Sequence, residues 1–96
     1  MQLKQGCEAA YIERHDQIWP DLVMLFKQNG IRDYHIYFDK ATHLLIGVQC
    51  IEEHLNADLS ENALMRKWWV QMADLMEINE DRSPVVVGLE KVFSMP

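Results

Sequence analysis

Tyr11 and His15 stand four residues apart, which places them one turn apart on the same face of a helix. Imidazole has an unperturbed pKa of about 6.5, so it can give and take protons near neutral pH. A histidine in that position can equally be an inert, hydrogen-bonded residue at the edge of a packed helix, and spacing alone favours that reading. Trp68 and Trp69 are adjacent. Helical neighbours point about 100° apart, so the two cannot face one core position. One is expected in the core and the other at a cleft, a sheet edge or a partner. An indole offers a flat apolar face and one N–H donor, which suits a sugar with a patch of C–H bonds among hydroxyls. Packing alone would account for both indoles as well. Tyr34 lies in an alternating stretch with Ile36 and Phe38; its hydroxyl reaches a sugar if that face lines a cavity, and is otherwise a core group.

Other chemistry is less supported. His35, His43 and His54 show no metal-ligand spacing, and the chain has no HExxH or paired cysteines. It has no glycine-rich phosphate loop, no GxSxG elbow and no dinucleotide fingerprint. A metal is therefore not expected, and nucleotide cofactors are unsupported. Glu52, Glu53, Glu61, Asp74, Glu77, Glu80 and Asp81 read as solvated charge.

These residues sit in a chain of 96 residues with a net charge of −6. The length fits one small domain over residues 1–96, marginal alone, so pairing with a second copy is a reasonable expectation. The charge disfavours nucleic acid and anionic membranes and is compatible with a neutral small molecule. Cys7 and Cys50 make no disulfide framework, and neither a signal-type apolar run nor a membrane-length one is present. A cytoplasmic location is the simplest expectation.

The elements that position the candidates follow from periodicity. Residues from Cys7 to about Asn29 read as helix, with Pro20 either kinking it or opening a second helix, and Gly30 stopping it. Ile31 to Asp39 and His43 to Ile51 read as a β-hairpin. Tyr34, Ile36 and Phe38 share one face, and Asp33, His35 and Tyr37 the other, where Tyr37 is expected to pack against helices. Ser60 to Met76 reads as helix capped by Ser60, Asn79 to Pro84 as a polar loop, and Val85 to Ser94 as the last strand. With Met1 to Gln5 as a strand end, the order is β-α-β-β-α-β. That predicts an α+β fold: a ferredoxin-like split β-α-β unit with a four-stranded antiparallel sheet and both helices on one face. The sheet of a second copy is the obvious cover for the other face.

Four segments in this order resemble the L-rhamnose mutarotase family along nearly the whole chain. Tyr11-Ile-Glu-Arg-His15-Asp-Gln-Ile-Trp19-Pro20 resembles its Y-x-x-R-H-x-x-I-W-P segment. Asp33-Tyr34-His-Ile-Tyr37-Phe-Asp39 resembles its N-Y-x-I-Y-L-D strand. Arg66-Lys-Trp68-Trp69 with Met72, Asp74 and Met76 resembles its Trp-Trp helix, and Asn79 to Pro96 resembles its tail. The resemblance implies a homodimeric α+β barrel acting without metal or cofactor on L-rhamnose. It assigns the proton-donor role to His15 and sugar binding to Tyr11, Tyr34, Trp68 and Trp69. Asp33 departs from the family's Asn, and Glu80 from the Pro after Asn79. Family members also carry several residues before the position of Met1, so the first strand is expected to be a stub whose natural start lies upstream.

The implied chemistry is anomer interconversion by ring opening and closing. The anomeric hydroxyl loses a proton, the ring oxygen gains one, and the C1–C2 bond rotates in the open aldehyde. Water, a tyrosine or a carboxylate such as Asp39 is a candidate for the second proton. The competing reading is a non-catalytic sugar-binding or an oxygenase-type member of the same fold, because fold alone does not choose a function.

Overall fold

The computed structural model describes residues 1–52 and 59–96. In order they form α1 (Glu8–Asp16), α2 (Pro20–Gln28), β1 (Ile31–Asp39), β2 (Leu44–Ile51) and α3 (Ala63–Met72). The fold is α+β, as expected. The long helical stretch is two helices rather than one kinked rod. Pro20 occupies the first turn of α2, where its missing N–H costs nothing. Gly30 takes a positive φ of 78° and turns the chain out of α2 into β1.

β1 and β2 pair antiparallel, with Phe38 opposite Leu45 and His35 opposite Val48. The register shifts between Arg32 and His35, so Asp33 and Tyr34 together oppose the single residue Gln49. This is a bulge, and Asp33 adopts φ 51° within it. Asp and Asn tolerate that left-handed conformation better than other side chains, so the residue type suits the bulge. Asp33→Val is expected to destabilise the protein by about 1–2 kcal/mol, and Asp33→Asn to leave it unchanged or slightly more stable. Thermal denaturation of both variants checks this; equal melting of the Val variant and the parent would refute the bulge argument.

The third and fourth positions of the expected sheet are held by short segments. Met1 and Leu45 exchange two hydrogen bonds, and Gln2 bridges Leu44. On the far side Leu3 bridges Met76, and Ile78 bridges Pro84. The order across the layer is therefore β1, β2, residues 1–3, residues 75–78, residues 84–85. Three expectations need correction. The helix stops at Met72, and residues 75–78 turn back to run beside the N-terminus, so Leu75–Ile78 takes the place assigned to the last strand. Val85–Ser94 forms no strand with the described residues of this chain: among them its last backbone hydrogen bond is Val85 N–H to Glu77 O, and the residues beyond it are exposed. The cap of α3 is Asn62 and not Ser60; the Asn62 Oδ1 accepts from the Leu64 and Met65 amides at 2.9 and 3.1 Å.

The three helices cover one face of the hairpin. Leu3, Tyr11, Leu22, Leu45, Trp68, Met72, Leu75 and Met76 form the core, and Ile36 and Phe38 pack against it. Leu22 is completely inaccessible. Strand alternation then puts His35, Tyr37, Leu44, Ile46 and Val48 on the opposite face. Tyr37 is consequently 59% exposed and does not pack against helices, contrary to the sequence reading.

Candidate functional site

Between the inner face of the hairpin and the helices lies a cavity of about 740 Å³. Tyr11, His15, Tyr34, Trp68 and Trp69 all line it. Periodicity explains four of the five. Tyr11 and His15 share the inward face of α1, and their rings lie 4.3 Å apart between centroids. Trp68 and Trp69 divide as their 100° offset requires. Trp68 is buried in the core, with edge contacts to His15 at 5.4 Å and to Trp19 at 5.2 Å, while Trp69 is half-buried in the wall. The fifth, Tyr34, depends on the bulge. Its ring lies over Gly47 of β2 and 6.0 Å from the Phe26 ring. A Cβ at position 47 would meet the Tyr34 Cε1 at 3.4 Å, an ordinary van der Waals contact, so the phenol ring packs directly against this part of β2.

His15 has one ring nitrogen fixed. Nδ1 lies 3.0 Å from the carbonyl oxygen of Tyr11. A carbonyl only accepts, so Nδ1 carries the hydrogen in that bond and the neutral ring has its lone pair on Nε2. Burial lowers the His15 pKa below its ordinary value of 6.5, against smaller upward pulls from the Tyr11 carbonyl and Asp16. The ring is thus poised as a neutral base. Burial raises the phenol of Tyr34, and burial together with the neighbouring Tyr34 raises that of Tyr11 strongly. Both keep their hydrogens and can donate to ligand oxygens.

Asp39 does not belong to this site. It sits at the end of β1, accepts from the Ala41 amide and the Thr42 hydroxyl at 3.0 and 2.9 Å, and serves the hairpin turn. Those bonds hold its carboxyl below the ordinary range. His43 is also in that turn, with φ 60°, and His35 stacks loosely with Tyr37 on the outer face. His54 lies outside the described residues. No group of three metal-ligating side chains occurs among the described residues.

Three residues were missed as site elements. Gln49 opposes the bulge and lines the cavity, a polar side chain on the β2 face that also carries Leu45. Alternation along the second strand was the available signal. Trp19 backs Trp68 from the start of α2. Asp74, read as solvated charge, pairs with Arg14 at 2.7 and 3.2 Å, and Arg14 also donates to the Gln71 carbonyl at 2.6 Å. This fork ties α1, one residue before His15, to the end of α3.

The sequence profile of the L-rhamnose mutarotase family matches residues 1–95. The chain belongs to the L-rhamnose mutarotase family. An L-rhamnose mutarotase of Formosa agariphila is 46% identical over 96 residues, covering 99% of this chain and 92% of that protein. One from Bacteroides thetaiotaomicron is 48% identical over 96 residues, with 99% and 92% covered. A crystal structure of the Formosa agariphila L-rhamnose mutarotase superposes with a TM-score of 0.91 at 45% identity, covering 100% of this chain and 93% of that one. Membership in this family fits a cavity that combines one neutral imidazole, two phenols and two indoles. No helix among the described residues is long and apolar enough to cross a membrane.

Proposed function

We propose that this chain interconverts the α and β anomers of L-rhamnose, in the cytoplasm, as a single-domain subunit of a homodimer, with His15 as its acid/base group. The observation that carries the reading is the Nδ1 bond to the Tyr11 carbonyl, which leaves a basic Nε2 on a ring that lines the cavity. Nε2 takes the proton of the anomeric hydroxyl. The ring oxygen is bonded to the same carbon, so the resulting imidazolium can hand that proton to it as the C1–O bond breaks. The open aldehyde rotates about C1–C2, and reclosure runs the same transfers in reverse. Every proton taken is returned, and no carboxylate is needed. Tyr11 and Tyr34 donate hydrogen bonds to sugar oxygens, and Trp68 and Trp69 hold the apolar C–H patch.

Saturation-transfer NMR with L-rhamnose tests the activity. Enzyme-accelerated exchange between the anomer signals supports it; binding without accelerated exchange would make the protein a sugar sensor instead. Trp69→Ala is expected to weaken binding by roughly 10- to 100-fold, the effect of losing one buried aromatic contact of about 1.5–3 kcal/mol. Exchange at saturating sugar should change much less. A large loss at saturation with unchanged affinity would place Trp69 in the chemistry rather than in binding.

The homodimer reading rests on the outer sheet face. Tyr37, Leu44 and Val48 are exposed there at 59%, 39% and 52%, beside Ile46. A contiguous apolar surface of this kind usually meets a partner, and a second copy presents the same surface. Sedimentation velocity that gives a concentration-independent monomer would contradict it.

A further inference from the structure

We propose that Arg14 is a positioning residue for the anomer exchange: its fork to Asp74 and to the Gln71 carbonyl sets the rotation of α1 against α3, and so the place of His15 in the cavity. The inference rests on the acid/base role proposed for His15.

α1 has little else to fix it. It is nine residues long, Tyr11 alone of its residues is buried, and His15 lies in its last turn. A helix that short has no stability of its own. The bond between Nδ1 and the Tyr11 carbonyl holds the imidazole relative to α1. Both partners belong to α1, so that bond leaves the helix free to turn as a unit.

The attachment comes from α3. On the cavity side the His15 ring meets the edge of Trp68 at 5.4 Å. At the surface Arg14 Nη1 donates to the Gln71 carbonyl at 2.6 Å and to Asp74 Oδ1 at 2.7 Å, and Nη2 donates to Asp74 Oδ2 at 3.2 Å. His15 and Arg14 are neighbours on α1, and Trp68 and Gln71 lie within one turn of α3. The two helices are therefore joined at two points, and two points fix a rotation that one leaves open. A cleft of about 80 Å³ bordered by Arg14, Gln17, Trp19, Trp68 and Gln71 opens here, so close packing does not set the spacing on the Arg14 side.

The place also suits a guanidinium. Gln71 is next to last in α3, where a carbonyl lacks an intrahelical donor and a cation is favoured. α3 carries no basic residue in its last turn, and Arg14 supplies the charge from another helix. The hydrogen bond from Arg14 holds the Asp74 carboxyl below its ordinary range, so the pair stays ionised where a neutral His15 works.

The size of the effect follows from the lever arm. Side-chain tips lie about 5–6 Å from a helix axis, so a turn of α1 by about 10° moves the imidazole by about 1 Å. A displacement of about 1 Å at a reacting group costs on the order of 10²-fold in rate. A surface ion pair adds little to folding, so the positioning role and the structural role of Arg14 separate.

The test is line-exchange NMR on Arg14→Met at saturating L-rhamnose, well below the melting temperature. Methionine keeps an apolar stem and removes the fork. Exchange at saturation is expected to fall roughly 10- to 100-fold. Affinity should change by no more than about threefold, melting should drop only slightly, and the NOE between the His15 and Trp68 rings should weaken. Arg14→Lys keeps the charge without the fork and should recover only part of the rate. Asp74→Ala leaves Arg14 on the Gln71 carbonyl and should lose about 3- to 10-fold at saturation; it carries the test if the methionine variant does not fold. Exchange at the parent rate in these variants overturns the proposal, as does full rescue by lysine. An inactive His15→Ala in the same assay then leaves the acid/base reading standing. If His15→Ala also exchanges at the parent rate, both fail.

Discussion

Replacing His15 with alanine is expected to slow enzyme-catalysed anomer exchange by about 10²- to 10⁴-fold, the usual contribution of a positioned acid/base group. Affinity for L-rhamnose should change far less, because proton transfer strengthens only in the transition state whereas the indoles and phenols also hold the ground state. The exchange that water supports by itself sets the floor. The pH dependence follows from the neutral form acting as the base. Catalysed exchange should be level above pH 6.5 and fall as pH drops through the His15 pKa, which burial places below 6.5. The same shift is linked to stability. The folded pKa lies below the unfolded one, so the stabilisation is fully present above the unfolded value and is lost as pH falls through the folded one. Line-exchange NMR at saturating sugar across this range measures the activity. A variant that exchanges anomers as fast as the parent would make His15 structural and move the chemistry to a tyrosine.

Trp68→Ala is expected to cost about 3–5 kcal/mol, the range for truncating a buried aromatic. For a domain of this size that amounts to a fall of roughly 12–40 °C in melting temperature, measurable by differential scanning calorimetry. The total stability of such a domain is about 5–14 kcal/mol, so this residue accounts for a large share of it. Two edge contacts are lost together, to Trp19 and to His15. Catalysis should therefore also suffer at temperatures where the variant remains folded, since the wall beside the imidazole is gone. Trp68→Phe keeps an aromatic edge and should fall between the two. Full activity in a folded Trp68→Ala protein would separate the core role of this side chain from the site.

The parts of the site that were legible in the sequence are those governed by one element's own periodicity. Tyr11 and His15 meet because four residues make a turn, and the two indoles diverge because one residue does not. The hairpin and the break at Pro20 were legible for similarly local reasons. The end of α3 was not. Met76 continues the spacing of Trp68 and Met72, and no glycine or proline marks a stop between them. The helix ends where Arg14, from a distant helix, takes the Gln71 carbonyl and the Asp74 carboxylate, and nothing near Asp74 in the chain announces that contact. The segment after Val85 reads as a strand, yet it pairs with nothing among the described residues. Alternation states that a stretch can pair, but not with which edge or in which subunit. Asp39 shows the converse error, in which a carboxylate of suitable type is committed to the four-residue turn at residues 40–43.

The partner of His15 Nδ1 is a main-chain carbonyl and not a carboxylate. An acid in that place would supply a fixed counter-charge and let the imidazolium linger; an uncharged amide oxygen offers only a dipole. A proton arriving on Nε2 is then held briefly. That is a suitable economy for a reaction whose substrate and product have the same formula and protonation state, because each turnover hands back what it borrowed. It also means that the tautomer is set by the helix backbone itself, which no side-chain substitution at position 11 can remove.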